Sequence, residues 1–288
     1  MSARLDHVVV AVPDLTAGVD LFRELGFSVQ NGGRHVGRGT ANAIVHLDRS
    51  FVEILSVQDE AAELAGAGRR GRALVDFIKS GGGLVGYAVT GISAAALMER
   101  SKAIGHPAPE IAMVQRRRPN GTLLKWRVAW PAGIQWRRLW PFVVEPMGPV
   151  DTAQPGNHAT SATRISDVAV SVNDGVAASA WYAGCLNLDG SMGEPLPELG
   201  AERIRLTSRG ALSVNLVSPT ADGPVFRELQ RVGEGPFEIV LAVTHLSVAE
   251  RYLSRAGATL AEAPGYRDGL LVVPSGLPGL RIVFREDD

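Results

Sequence analysis

Cysteine is nearly missing: Cys185 stands alone in 288 residues, so neither an intrachain disulfide nor a cysteine-rich metal cluster can form. No apolar run approaches the roughly 18–20 residues that span a bilayer. Met1 to Asp6 lacks the apolar core of a signal peptide, which makes the cytosol the expected compartment. An excess of one charge is lacking too. Twenty-nine Lys and Arg against 30 Asp and Glu leave a net charge of -1, which argues against nucleic acid or an anionic membrane as partner. What is present is 45% hydrophobic and 20% charged residues, a soluble globular composition with material for one large or two ordinary domains.

The chain is organised around Leu5 to Val57. Leu5-Asp6-His7-Val8-Val9-Val10-Ala11-Val12 reads as a strand, and Ala17, Leu21, Phe22 and Leu25 share one helix face. A glycine-rich loop from Asn31 to Thr40 leads to two apolar strands, Ala41 to Leu47 and Phe51 to Val57. His7 in the first strand and Glu53 in the last are polar side chains among large apolar ones. After helices at Asp59 to Ala65 and Arg72 to Lys79, Leu84 to Thr90 opens a second strand–helix–strands unit. Its hairpin turns at Asn120-Gly121 and its last strand is Leu139 to Glu145.

Polar, aperiodic residues 151–163 read as a linker. Ile165-Ser166-Asp167-Val168-Ala169-Val170-Ser171-Val172 then overlays Leu5 to Val12 without a gap, Asp174 overlays Asp14 and Tyr182 overlays Phe22. A fourth unit begins at Phe237. The expectation is an α+β fold of four βαβββ modules in two pairs: 1–150 as an N-terminal domain and 164–288 as a C-terminal one.

These stretches, with Phe22-Arg23-Glu24-Leu25-Gly26-Phe27 and Ala180-Trp181-Tyr182, resemble the vicinal oxygen chelate superfamily, which includes glyoxalase I, extradiol dioxygenases and bleomycin-resistance proteins. Gly32 to Asn42, Arg118 to Arg127 and Pro141 to Glu145 resemble its glyoxalase-like subgroup. The resemblance implies two half-barrel domains of paired modules, each curled around a cavity, with a divalent metal bound from first and last strands. Carried over, the metal ligands are His7, Glu53 and Glu145, with Glu145 also the proton shuttle. The fourth position falls near Leu84, which cannot bind metal. In the second pair the positions become Asp167, Asn215, Glu238 and either Arg281 or a neighbour, a set with no histidine that includes a cation, so no metal is expected there.

One imidazole and two carboxylates suit Zn, Mn, Ni or Fe. The same residues admit plainer roles: a strand histidine is often a hydrogen-bonded interior group, and strand glutamates often face water. His35 in the glycine-rich loop, Asn42, Trp126 and Arg127 are the candidate substrate-binding residues. His46 shares parity with Asn42 and is either a fourth ligand or an exposed strand end. Arg116-Arg117-Arg118 reads as a solvated basic edge. Trp126, Trp130, Trp136 and Trp140 line a ligand pocket, or pack a core or a subunit contact. His106, His158 and His245 read as structural, and Cys185 as buried packing.

The first functional expectation is a metal-dependent lyase or isomerase acting on a small oxygenated molecule. The second is a metal-free protein that sequesters an aromatic ligand. A ring-cleaving dioxygenase ranks below both, because it would want two histidines and a carboxylate. The partners expected are a small-molecule substrate and, as an open alternative, a second copy of the chain in a homodimer.

Overall fold

The computed structural model describes residues 2–133, 136–148, 155–208 and 212–287. The first half runs β1 (Arg4–Ala11), α1 (Leu15–Glu24), β2 (Gln30–His35), β3 (Thr40–Leu47), β4 (Ser50–Val57), α2 (Glu60–Ala67), α3 (Arg69–Lys79), β5 (Gly83–Thr90), α4 (Ala94–Ala103), β6 (Glu110–Arg117), β7 (Leu123–Trp130) and β8 (Phe142–Pro146). The second half runs β9 (Ala162–Ser171), α5 (Gly175–Leu186), β10 (Asp189–Gly190), β11 (Glu194–Leu196), β12 (Ala201–Thr207), β13 (Ser213–Pro219), α6 (Pro224–Val232), β14 (Gly235–Val243), α7 (Leu246–Arg255), β15 (Leu260–Glu262), β16 (Leu270–Val272) and β17 (Ile282–Glu286).

Local chemistry explains the main boundaries. Asp14 caps α1 by accepting from the Ala17 backbone N–H at 2.8 Å, and Asp174 does the same for α5 from Ala177 at 2.9 Å. The β6–β7 turn lies where Asn120-Gly121 puts it: Gly121 adopts a φ of 84°, and the Asn120 side chain accepts from the Thr122 N–H. Helix α6 has sequence signals that the strand reading passed over, a proline at its start and Val225 and Leu229 four apart on its buried side.

The eight strands of the first half close into a barrel in the order β1-β4-β3-β2-β6-β7-β8-β5. The second half forms an open nine-stranded sheet, β10-β12-β13-β9-β14-β17-β16-β15, with β11 on β12. The seams match. β1 lies between parallel β4 and antiparallel β5, and β9 lies between parallel β13 and antiparallel β14. The expectation of two like half-barrels is therefore met only in part: one sheet closes, the other does not. In the third stretch two short strands, β10 and β11, share the edge of β12 where one was expected.

One apolar core joins the halves. It combines Val8, Val10, Val52 and Ile54 from the outer face of the barrel with Val168, Val170, Ile239, Leu241 and Phe284 of the second sheet, and with Phe22, Trp181 and Tyr182 on helices. Within it the hydroxyls of Tyr87 and Tyr182 bond each other and the Leu139 carbonyl, and burial pushes both phenols up. The segment expected as a linker is partly outside the described residues, at 151–154. From Pro155 onward it is pinned to the barrel. Gly156 N–H donates to the His46 carbonyl at 3.0 Å, and His158 Nδ1 accepts from the Ser28 N–H at 3.1 Å. His158 Nε2 lies 3.0 Å from the same His46 carbonyl, so His158 is structural.

Arg137 bolts the two sheets together. Its guanidinium donates to the carbonyls of Gly233 at 2.7 Å, Leu84 at 3.3 Å and Pro236, with Glu228 at 3.5 Å. Burial lowers its pKa to about 10, against the opposing pull of Glu228. Replacing it by Met strands those carbonyls and Glu228 in the interface. Arg137→Met is expected to lower stability by about 2–4 kcal/mol in chemical denaturation. A loss below about 0.5 kcal/mol would show that water replaces the guanidinium at no cost.

Candidate active site

Side chains alternate across a strand, so closure of the barrel sorts them into inside and outside. His7, Val9 and Ala11 of β1 point in, as do Phe51, Glu53 and Leu55 of β4, Trp126, Val128 and Trp130 of β7, and Phe142 and Val144 of β8. The barrel is closed at one side by apolar packing of Val9, Ala11, Leu74, Phe77 and Val85. Beyond that packing lies a cavity of about 440 Å³, within the range of small-molecule sites.

A polar cluster forms part of its wall. Glu53 is the centre: His7 Nε2 stands 3.5 Å from Oε2, and His35 Nε2 stands 3.7 Å from Oε1. Asn42 Nδ2 donates to Glu53 Oε1 at 2.5 Å. Each imidazole is oriented from behind. His7 Nδ1 lies 2.7 Å from the Asp6 carboxylate, which accepts, so Nδ1 carries a hydrogen. His35 Nδ1 lies 3.0 Å from the Thr40 hydroxyl. The His7 ring also stacks on Phe51 at 4.6 Å.

Electrostatics hold this cluster in a defined state. Burial alone would raise the Glu53 carboxyl, but the imidazoles of His35 and His7, the Asn42 amide and Arg116 outweigh it and keep it below the ordinary value. His35 is held below the usual imidazole range, by burial first and then by Arg116 and Arg38 against the pull of Glu53 and Glu63. The site thus favours the carboxylate form of Glu53 and biases His35 toward the neutral imidazole.

The expected residues divide cleanly. His7, His35, Asn42 and Glu53 come together, and Trp126 lines the same cavity. Glu145 and Arg127 do not join them. They are cross-strand partners on the outer face, where Arg127 Nη1 donates to Glu145 Oε2 at 3.3 Å. Glu145 Oε2 also faces the Ala94 N–H at the start of α4, at 3.4 Å. Glu286 in β17 accepts from Leu246 N–H at the start of α7, at 3.0 Å, so both strands end on a carboxylate at a helix N-terminus. The proposed ligand and proton shuttle at Glu145 is therefore corrected: its strand offers Phe142, Val144 and Pro146 to the cavity, one residue out of phase.

His46 lines the cavity rather than lying exposed at a strand end. Arg116 also departs from the solvated-edge reading. It is buried in the cavity wall with its guanidinium 5.5 Å above the Trp126 ring, while Arg117 is exposed. Sequence reasoning missed Asp6 and Thr40 as orienting partners, although Asp6 adjoins His7 in the chain.

The metal set His7, Glu53 and Glu145 does not fit, since Glu145 lies across the sheet. Gly86 and Ala88 of β5, which pairs with β1, and Phe142 and Val144 of β8, which pairs with β5, carry no donor. His35 offers a second imidazole, but the two rings approach different oxygens of Glu53. Among the described residues no three His, Cys, Asp or Glu side chains converge to hold an ion. In the second sheet, Asp167 accepts from the Ser213 hydroxyl at 2.5 Å and from the Ser166 hydroxyl at 2.8 Å. Asn215 donates to the Tyr266 hydroxyl, and Glu238 is paired with Arg281 at 3.1 Å.

A closed sheet around a cavity, followed by a second sheet of matching seam, defines the small-molecule fold of the vicinal oxygen chelate superfamily. The model of the glyoxalase-like domain family matches residues 5–186, and the chain belongs to that family. No curated protein matches it. Among solved structures it is similar to a hypothetical protein from Staphylococcus aureus, with 11% identity, TM-score 0.65, and 99% of this chain and all of the other covered. It is also similar to a triple mutant of 4-hydroxymandelate synthase from Streptomyces coelicolor (13% identity, TM-score 0.66, 98% and 92% covered). A xylose isomerase-like TIM barrel/4-hydroxyphenylpyruvate dioxygenase fusion protein aligns over 99% of this chain and 49% of its own length, at 14% identity and TM-score 0.58. At these identities the likeness is one of fold.

Two measurements check this geometry. Glu145→Gln is expected to cost about 0.3–1 kcal/mol through the α4 terminus and to leave ligand binding in the barrel unchanged. A loss of binding would put Glu145 back in the site. Because His35 is depressed when folded, the unfolded chain takes up its proton first. The stability His35 confers is whole above the unfolded value near 6.5 and drains away as pH falls toward the folded one. His35→Gln should flatten the melting temperature against pH below 6.5; an unchanged slope would mean that His35 is charged in the folded protein.

Proposed function

We propose that this chain is an enzyme of lyase or isomerase type that moves a proton on a small oxygenated organic molecule held in the barrel. One observation carries the reading: a buried, ionised carboxylate between two imidazoles, each ring turned by its own partner, on the wall of a mostly apolar cavity. Apolar sequestration alone has no use for such a cluster, which costs desolvation and recurs where acid–base work is done. His7 Nε2 is the base. Asp6 fixes its tautomer and offsets the imidazolium that forms, and Glu53 adds negative charge on the other side. The proton taken from carbon returns to a neighbouring atom in an isomerisation, or is balanced by a leaving group in an elimination. Metal dependence is the finer part of this reading. A divalent ion would need His7, His35 and Glu53 to turn toward a common point, which they do not share in this geometry, and would then supply Lewis acidity at a substrate oxygen.

A second reading, a metal-free binder of an aromatic molecule, is favoured by the donor-free positions on β5 and β8 and by the tryptophan walls. Incubating a panel of α-hydroxy and α-oxo carbonyl compounds in D₂O separates the two. The enzyme is expected to exchange C–H for C–D in at least one compound, with His7→Ala slower by about 10²–10⁴-fold. Exchange in none, beside tight binding of aromatics, decides for the binder. Elemental analysis of the same proteins reads the metal: one ion per chain in wild type, lost in His7→Ala, is the metal-dependent outcome.

A further inference from the structure

We infer that the molecule held in the barrel carries a carboxylate, and that Arg38, clamped from behind by the buried Glu63, receives it. The inference rests on the barrel cavity being the substrate site, and it adds the substrate's charge to that reading. Glu63 lies in α2 and is fully buried. It accepts from Arg38 Nε at 2.9 Å, from Arg38 Nη2, and from the Gly39 N–H at 3.1 Å. Of this ion pair only Arg38 keeps accessible surface, 15% of its side chain against none of Glu63's, and Arg38 lines the cavity. Two of its nitrogens are engaged by Glu63, and Nη1 has no acceptor among the described residues.

The turn that carries Arg38 is fastened to the start of α2. The Gly39 carbonyl accepts from the Gln58 N–H at 2.7 Å and from the Asp59 N–H at 3.1 Å. A Cβ on Gly39 would overlap the Asp59 carbonyl, and one on Gly66 would overlap the Gly37 carbonyl, so glycine is what lets turn and helix approach. A guanidinium held in this way meets a planar anion with little rotamer freedom left to lose. His35 lies three residues before Arg38, and Arg116 stands opposite His35 across β6 and β2. The charge of both guanidiniums reaches the site, where after burial they help to hold His35 below the usual imidazole range. The carboxylates on the wall already have partners: Asp6 has His7, Asp48 has Arg49, and Glu53 has Asn42 and the two imidazoles. Glu53 and Glu63 beside these guanidiniums favour a single negative charge on the ligand over the double charge of a phosphate ester.

Benzoate, benzamide and phenyl phosphate share a ring that suits a wall containing Phe51, Trp126 and Phe142, and they differ in charge. Their affinities are measured by titration calorimetry at neutral pH and low salt. Benzoate is expected to bind at least about tenfold tighter than either of the others. Arg38→Gln should bring benzoate to within about twofold of benzamide, while the affinity for benzamide itself moves by less than about twofold. Because that change strands Glu63, the double variant Arg38→Gln/Glu63→Gln, which leaves a neutral amide pair, is titrated beside it and should show the same loss. His7→Ala should keep the preference for benzoate even where turnover is abolished, so failure of the catalytic reading does not imitate failure here. The inference is overturned by equal binding of benzoate and benzamide, by tighter binding of phenyl phosphate, or by no binding of any of the three. It is equally overturned by a preference for benzoate that survives both Arg38 variants and is lost in Arg116→Gln.

Discussion

A strand side chain faces one side of its sheet or the other, and closing eight strands into a barrel turns that choice into inside against outside. This constraint decides what the site contains. His7 and Glu53 fall inside because each shares phase with apolar residues that fill the barrel. Glu145 falls outside because β8 enters with Phe142 and Val144 pointing inward, leaving the carboxylate to a helix N-terminus. A shift of one residue in that strand would have reversed the assignment.

Once Glu53 is inside, its charge must be compensated. Two imidazoles, an amide and a guanidinium do this, and the Asp6 and Thr40 contacts behind the rings fix which nitrogens face the carboxylate. The cluster is therefore a unit in which each member orients its neighbour. The second sheet solves the same burial problem differently: Arg281 neutralises Glu238 within hydrogen-bonding distance, and Tyr266 occupies Asn215. Equivalent strand positions thus hold a polar cavity wall in one half and a self-contained set of pairs in the other.

Much of this was legible in the sequence. The gapless overlay of Ile165 to Val172 on Leu5 to Val12 predicted matching first strands, and β1 and β9 occupy matching places between a parallel and an antiparallel neighbour. Caps at Asp14 and Asp174 and the turn at Asn120-Gly121 act over a few residues and are read from them directly. His7, His35, Asn42, Glu53 and Trp126, singled out by type and position, lie together at the barrel cavity, with Asn42 donating to Glu53. The closure of only one sheet, the double edge strand at β10 and β11, and helix α6 were not recognised.

The amino-acid order by itself determined most of the elements, the likeness of the two first strands and the family resemblance, because hydrophobic period, capping and turn chemistry are local and leave their mark in short windows. Only the folded chain decided which polar groups meet. Whether Glu145 sees the cavity or a helix end depends on the phase in which a distant strand joins the barrel. Whether Arg116 is solvated or walls the site depends on β6 pairing with β2, more than 70 residues away in the chain. Such facts arise from closure over long separations, and no local window of sequence contains them.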